Sequence, residues 1–97
     1  MSAYEMKRET RALVYIDVKP GREKEIIEKL MKHDEVIEAH IVAGQQLYDV
    51  LVLLRIEREM FESPTKTISE FVINKVRKLK DVRETNTLIP AISYSKR

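Results

Sequence analysis

Three segments of the chain have the hydrophobic pattern of β-strands. In residues 11–18, every second side chain is aliphatic, and the side chains between them are more mixed. This period of two and the frequent β-branched residues predict a strand. Residues 36–43 and 48–57 are predicted as two further strands, joined by a hairpin loop over residues 44–47. In the first strand, Ala12, Val14, Ile16 and Val18 fall on one side, and Leu13, Tyr15 and Asp17 fall on the other.

In two other segments, the apolar residues recur at the three- and four-residue spacing of a helix. In residues 22–33 the pattern predicts an amphipathic helix, with Glu25 and Lys29 forming a favourable pair on its polar face. Residues 63–80 are predicted as a second helix, in which Ser63 caps the start and Pro64 occupies the first position. The apolar stripes are Ile26, Ile27, Leu30 and Met31 in the first helix, and Ile68, Phe71, Val72, Val76 and Leu79 in the second.

A fourth strand is predicted over residues 83–94. Pro90 has no backbone N–H to donate, so this strand should lie at a sheet edge or bend at the proline. The resulting order, β-α-β-β-α-β, is that of the ferredoxin-like α+β fold, with a four-stranded antiparallel sheet and two helices on one face. We expect a single domain over residues 1–97, with its core in 11–94 and an N-terminal tail in 1–10.

The sheet face away from the helices is predicted to be unusually apolar. In the third strand, Val50, Val52 and Leu54 point one way, yet Leu51 and Leu53 on the other side are also apolar. An antiparallel sheet with one face in water normally alternates apolar and polar residues, and a contiguous apolar patch often marks an interface. We therefore expect dimerisation through the open sheet face. The alternative is that the ends of the chain fold across it.

Composition narrows the class of protein. The chain has 97 residues, 35% of them charged and 43% hydrophobic, with a net charge of +2, as in soluble globular proteins. It has no cysteine, no signal-peptide pattern and no apolar run of membrane length, so we expect a cytoplasmic protein without membrane contact. The basic residues Lys75, Arg77, Lys78, Lys80, Lys96 and Arg97 are interpreted as a solvated helix face and an exposed terminus, and direct nucleic-acid binding is not expected.

Catalytic and metal-binding patterns are absent from the sequence. The histidines, His33 and His40, belong to no metal-ligand spacing, and a helix end or core packing explains them better than catalysis does. The glycines, Gly21 and Gly44, cannot form a phosphate-binding loop. RNA-recognition domains share this strand order but carry paired aromatic residues on the open face, where this chain has only Tyr15. We therefore expect no catalytic residue, no metal and no cofactor.

Two polar groups are candidates for ligand binding. Gly44 with Tyr48 and Asp49 lies at the β-hairpin, although an ordinary turn would also explain them. Thr85 and Thr87 point the same way at the start of the fourth strand, although β-propensity would also explain them. With strands one and three taken as parallel, Asp49 and Thr85 are expected at opposite ends of one sheet. A pocket using both would then need two subunits.

The same segments resemble a known family. The sequences "VIEAHIVAG" and "YDVLV", followed by "FVINKVRKLKDVRETNTLI", resemble the effector-binding domain of the Lrp/AsnC family of feast/famine regulators, also called the RAM domain. The resemblance covers residues 11–92. Family members join this domain to a DNA-binding helix-turn-helix, and about ten residues before the first strand are too few for one. The resemblance therefore implies a stand-alone form.

The resemblance implies a fold, an assembly and a site. Family domains are ferredoxin-like, dimerise through their sheets, form octamers or similar rings, and bind small effectors, typically amino acids, between dimers. Gly44 and Asp49 match the family's hairpin loop, and Thr85 and Thr87 match its T-x-T motif. Asp49 would pair with the α-ammonium group, and the hydroxyls with a loop amide would bind the α-carboxylate. Three residues, Gln45, Gln46 and Leu47, separate Gly44 from the Tyr-Asp pair where the family usually has one.

The function predicted from these observations is a non-enzymatic, homo-oligomeric module of transcription regulation. It would bind an amino acid or related metabolite at subunit interfaces through Gly44, Tyr48, Asp49, Thr85 and Thr87, and form mixed oligomers with full-length Lrp/AsnC regulators. Two rivals share the fold. One is a structural assembly module without a ligand. The other is a small dimeric ferredoxin-like enzyme, which a buried His40 beside a carboxylate would favour.

Overall fold

The helices and strands follow the predicted order. A computed structural model of the protein describes residues 7–43, 48–59 and 63–90. The strands are β1 (Lys7–Val18), β2 (Val36–Ala43), β3 (Tyr48–Glu59) and β4 (Val82–Leu88), and the helices are α1 (Glu23–Leu30) and α2 (Pro64–Phe71). A π-helical turn, Val72–Val76, continues α2.

The four strands form one antiparallel sheet in the order β2-β3-β1-β4. This confirms the ferredoxin-like fold class. The expectation that β1 and β3 run parallel was wrong, because they are hydrogen-bonded neighbours in antiparallel register, with Ile16 opposite Val50. The crossover through α1 makes β2 parallel to β1, and the following hairpin then reverses the direction of β3.

The hydrophobic core lies between the helices and one face of the sheet. Inward residues of β1 and β3 alternate as predicted, and residues such as Val14, Ile16 and Leu54 are fully buried. Because these β-branched and leucine side chains face the apolar stripes of both helices, the sheet and helices bury each other. The other core residues are Ala12, Val18, Ile26, Leu30, Val36, Val50, Val52, Ile56, Ile68, Phe71, Val72 and Val76.

The second helix begins as predicted but continues differently. The Ser63 hydroxyl accepts the backbone N–H of Lys66 at 3.3 Å, and Pro64 occupies the first position. Beyond Phe71 the backbone widens, and the Arg77 N–H donates to the Val72 carbonyl at 2.8 Å, five residues back. The prediction of one α-helix over residues 63–80 is therefore corrected to two α-helical turns and a π-helical turn.

The fourth strand is an edge strand, as the position of Pro90 predicted. It ends at Leu88, because a proline cannot donate to the ladder. The predicted strand over residues 83–94 was therefore too long at this end, and residues 91–94 lie outside the described chain.

Two tight turns, at Gly21 and Asp81, lie at the end of the sheet where β4 begins. Gly21 has φ +89°, which favours glycine, and Asp81 has φ +74°, which aspartate tolerates better than most residues. The Lys19 N–H donates to the Asp81 carbonyl at 2.8 Å, and the Arg22 guanidinium lies 3.6 Å from the Asp81 carboxylate. These contacts join the start of α1 to the start of β4. Within the part of the chain that the structure describes, no helix is long and apolar enough to cross a membrane.

Candidate functional site

The sheet face away from the helices, here called the open face, carries its side chains in cross-strand rows. Residues directly opposite each other in an antiparallel pair point to the same face. The strand register therefore assigns a definite set of residues to the open face. They are Glu38, His40 and Val42 of β2, Asp49, Leu51, Leu53, Arg55 and Glu57 of β3, Glu9, Arg11, Leu13, Tyr15 and Asp17 of β1, and Glu84, Asn86 and Leu88 of β4.

Asp49 is held on the open face by Tyr15. The Tyr15 hydroxyl donates a short hydrogen bond to Oδ2 of Asp49. This bond, with burial and the negative charges of Asp49 and Asp17, raises the pKa of Tyr15 above its ordinary value. The other carboxylate oxygen, Oδ1, is buried and has no hydrogen-bond partner among the described residues. Asp49 therefore has one acceptor in use and one unoccupied.

An ion pair between Arg83 and Asp17 lies beside Asp49. The Arg83 guanidinium donates to the Asp17 carboxylate at 2.8 Å, and this bond raises the pKa of Arg83. Asp17 lies opposite Glu84 across the β1–β4 ladder. The register of β1 and β3 is described as far as Ile16 and Val50, so the next position places Asp17 beside Asp49. Asp49, Asp17 and Glu84 thus form a row of carboxylates at this end of the open face.

Thr85 and Thr87 lie at the same end of the sheet as Asp49, not at the opposite end. β3 and β4 both run antiparallel to β1, so they start at the same edge. However, Thr85 pairs with Ile16 and Thr87 with Val14, both of which point to the helices. The two half-buried threonines are therefore on the helix side of β4, and Asp49 is on the open face. Within one chain, these candidate residues are not brought together.

The remaining candidates in the hairpin are only partly described. Gly44 and the loop residues Gln45, Gln46 and Leu47 lie outside the described residues. The backbone of Tyr48 starts β3 and pairs with Ala43, but its side chain is outside the description. Of the predicted site residues, the structure thus gives side-chain geometry for Asp49, Thr85 and Thr87.

Neither histidine is buried beside a carboxylate, which is the arrangement of His40 that would favour an enzyme. His40 is on the open face with its ring nitrogen Nε2 3.1 Å from Glu38, but both side chains are more than half exposed. His33 packs edge-on against the ring of Phe71, with 5.7 Å between ring centroids. Among the described residues, no group of three or more His, Cys, Asp or Glu side chains is placed to hold a metal ion.

A separate shallow groove of about 470 Å³ lies near the other end of the sheet. Leu13, Leu53 and Ile89 give it a mostly apolar lining, and Asp49, Thr85 and Thr87 are not among the residues that line it. Its other lining residues are Glu9, Thr10, Arg11, Pro64 and Pro90. The groove is therefore distinct from the polar end of the open face.

Sequence reasoning missed the residues that surround Asp49. Tyr15 was noted as an isolated aromatic residue, and neither Asp17 nor Arg83 was assigned to a site. The available signal was strand parity, since Tyr15 and Asp17 share a side of β1. Relating that side to Asp49 required the correct relative direction of β1 and β3.

Several solved structures are similar to this chain. FFRP-DM1 is 32% identical, with a TM-score of 0.66, over 84% of this chain and 97% of that one. The hypothetical protein PHS023 from Pyrococcus horikoshii is 30% identical, with a TM-score of 0.66, over 88% of this chain and 93% of that one. AsnC from E. coli shares the fold at 20% identity and a TM-score of 0.74, over 99% of this chain and 58% of AsnC.

These comparisons confirm the resemblance seen in the sequence. Neither a family model nor a curated protein matches the chain, so the assignment depends on the solved structures. The match to FFRP-DM1 extends over nearly the whole of that chain at 32% identity, and the fold agrees with that of AsnC. The chain belongs to the Lrp/AsnC family of feast/famine transcription regulators.

Proposed function

We propose that this chain is an effector-binding and oligomerisation module that acts by binding rather than by catalysis. Its ligand is an amino acid or a closely related metabolite, held where subunits meet. The family membership supports a regulatory role. The open face, with its apolar centre and polar end, supports self-association.

The observation that carries the proposal is the carboxylate of Asp49. Tyr15 satisfies Oδ2 and orients the group, whereas Oδ1 is buried without a partner among the described residues. Buried polar atoms are normally hydrogen-bonded, so an unoccupied acceptor calls for an explanation. An α-ammonium group supplies charge and donors together, and a charge-assisted bond is stronger than a neutral one. We therefore assign the ammonium end of the ligand to Asp49.

The carboxylate end of the ligand is assigned to Thr85 and Thr87, with Gly44 supplying a backbone amide and Tyr48 flanking the pocket. Because Asp49 and the two threonines lie on opposite faces of one sheet, the complete site takes Asp49 from one subunit and the threonines from another. A complete site therefore still requires two subunits, because these residues lie on opposite faces of the sheet and not, as first expected, at its opposite ends. Binding at such a site would stabilise the assembly.

The assembly proposed is a homodimer formed through the open face, with dimers joined into an octamer or a similar ring. Leu13, Leu51 and Leu53 are half-buried in the single chain, and Leu88 is 57% exposed. Burying these side chains against a second copy would remove apolar surface from water. The ligand site then lies at the rim of the dimer, where a neighbouring dimer can approach.

The test is a thermal-shift screen against the twenty amino acids. We expect one or a few of them to raise the melting temperature in a concentration-dependent way, because a ligand at about 100 times its Kd stabilises the folded state by about 2.7 kcal/mol. Asp49→Asn keeps the shape of the side chain and should abolish the response. Asp34→Asn, which alters an exposed carboxylate in the turn after α1, serves as the matched control. A flat response from an oligomeric wild-type protein would contradict ligand binding and favour a structural module.

Mixed assembly with longer relatives extends the proposal. A face that pairs two copies of this chain would also pair with the equivalent domain of a full-length regulator, such as one with the architecture of AsnC, of which the match covers 58%. Co-expression of this chain with a tagged full-length paralogue from the same genome tests the idea. Recovery of self-assemblies alone would contradict it.

A further inference from the structure

A cluster of cationic side chains lies at the end of the molecule where β4 begins. Four of them belong to one short segment, which runs from Lys75 in the π-helical turn to Lys80 shortly before β4. The fifth is Lys19 in the turn after β1, whose backbone N–H donates to the carbonyl of Asp81 at 2.8 Å and so lies beside that segment. All of them are exposed. They are Lys19, Lys75, Arg77, Lys78 and Lys80, here called the basic end.

The basic end has no counterion within the described chain. None of its side chains forms an ion pair or a hydrogen bond with a described residue. The carboxylates nearby are engaged elsewhere, since Asp81 lies 3.6 Å from the Arg22 guanidinium and Asp17 accepts from Arg83 at 2.8 Å. A helix C-terminus favours cations, because its dipole amounts to about half a negative charge. That accounts for part of the cluster but not for Lys19, which comes from another segment.

The sheet separates this positive charge from the row of carboxylates at the same end. Those carboxylates, on Asp17, Asp49 and Glu84, lie on the open face. In contrast, Val72 and Val76 of the π-helical turn are buried in the core between the helices and the sheet, so the segment that follows them lies on the helix side. The dimer of the proposed function covers the open face and leaves the helix side outward. An anionic partner therefore meets the basic end from the helix side.

We propose that the basic end binds the phosphate backbone of duplex DNA without reading the base sequence. Lysine and arginine side chains that have no internal counterion are the groups that neutralise phosphates and release the cations condensed on DNA. Contacts of this kind position a protein on DNA and carry no sequence information. The membership of the chain in a family of transcription regulators supports DNA over other polyanions. This surface goes beyond the proposed function, which assigns a small ligand and self-assembly.

The structure changes the interpretation of residues 75–80 as a solvated helix face. A single basic segment at a helix end needs no partner, because the helix end itself favours cations. The fold adds Lys19 to that segment and pairs the neighbouring carboxylates with Arg22 and Arg83. The charge of the cluster is therefore left uncompensated, which is the electrostatic footprint of a nucleic-acid-binding surface.

The salt dependence of DNA binding tests the proposal. Fluorescence anisotropy of a short labelled duplex measures the affinity, and a second duplex of unrelated sequence should bind equally well. Each neutralised phosphate contributes about −0.9 to the slope of log K against log salt, so one contact from each residue of the basic end predicts a slope of about −4.5 per bound subunit. Raising the salt from about 50 to about 200 mM should then weaken binding about five-hundredfold.

Neutralising substitutions locate the contacts. Lys75→Gln combined with Lys78→Gln should make the slope less steep by about 2 per bound subunit, because two phosphate contacts are lost. Lys19→Gln alone should make it less steep by about 1. The second result is specific to a cluster that the fold assembles, since Lys19 is distant in sequence from the other residues of the basic end.

The matched control is Lys32→Gln combined with Lys66→Gln. These exposed lysines follow α1 and lie in the first turn of α2, at the opposite end of the helices from the basic end. The control removes the same charge as the variant with two substitutions and should leave the slope unchanged. Circular dichroism checks that every variant is folded.

Three results would overturn the proposal. The first is a wild-type protein that does not bind the duplex at about 50 mM salt, where phosphate contacts are strong. The second is a slope that the substitutions in the basic end change no more than the control does. The third is competition by poly-glutamate as effective as that by unlabelled duplex at equal charge concentration, which would assign the basic end to an acidic polypeptide instead.

Discussion

Asp49 and Tyr15 connect the open face to the proposed ligand at the scale of single residues. Tyr15 holds one oxygen of the carboxylate, and this leaves Oδ1 directed at nothing that the described chain supplies. A carboxylate that is oriented by one hydrogen bond and has a second, unsatisfied oxygen favours a cationic group, which reaches the buried Oδ1 once the atoms that cover it move. The tyrosine is therefore a positioning residue for the aspartate.

The Tyr15–Asp49 bond predicts a specific pH dependence of stability. The fold raises the pKa of Tyr15 above the ordinary value of 10.0, so the protonated tyrosine stabilises the folded state at lower pH. That stabilisation is fully present below pH 10 and is lost as the pH rises through the higher pKa of the folded protein. Comparing chemical denaturation of the wild type and Tyr15→Phe, we expect their stability difference to shrink as the pH rises above 10.

The control for this prediction is Asp49→Asn. Removing the carboxylate charge should return the pKa of Tyr15 towards its ordinary value, which tyrosinate absorbance follows directly. A wild type and Tyr15→Phe whose free energies of unfolding differ by a constant amount across this pH range would contradict the assignment.

At the scale of the secondary-structure elements, sequence patterns predicted type and order well and ends less well. The period of two in β1 and β3 and the stripes of the helices correspond to buried residues, because burial imposes the same periods. The change from α- to π-helix after Phe71 has no equivalent signal in that stripe. Pro90 did predict an edge strand, but the strand stopped before the proline rather than bending at it.

The start of α2 depends on its cap. Ser63→Ala removes the acceptor for the Lys66 N–H and should lower the free energy of unfolding by about 1 kcal/mol. Urea denaturation followed by circular dichroism measures the loss. Ser69→Ala, an exposed substitution within the same helix, is the matched control and should be neutral or slightly stabilising, since alanine is the better helix former. Equal effects of the two substitutions would show that the cap contributes nothing.

For the whole molecule, the open face is the surface through which the proposed dimer forms. Its centre is apolar although the helices leave it uncovered, and Leu53 lies in that centre. Leu53→Glu should convert the proposed dimer to a monomer, because a charge would be buried without a partner. Light scattering coupled to size-exclusion chromatography gives the mass.

Ile73→Glu is the matched control, since Ile73 is 52% exposed in the π-helical turn away from the open face. It should leave the mass unchanged. A Leu53→Glu protein of unchanged mass would place the dimer interface elsewhere.

The sequence by itself determined the fold class, the element order, the core face of β1, the residues that share each side of β3 and the family resemblance. These features depend on local periodicity and on short motifs, because burial and backbone geometry restrict which residue types each position accepts. The antiparallel direction of β1 and β3 follows from that element order, although the two strands had been expected to run parallel. Only the tertiary structure decided the register in which the strands pair. That register places Asp49 beside Tyr15 and Asp17 and separates it from Thr85 and Thr87 by the thickness of the sheet. Such relations depend on strand pairing between distant segments, which no local pattern encodes.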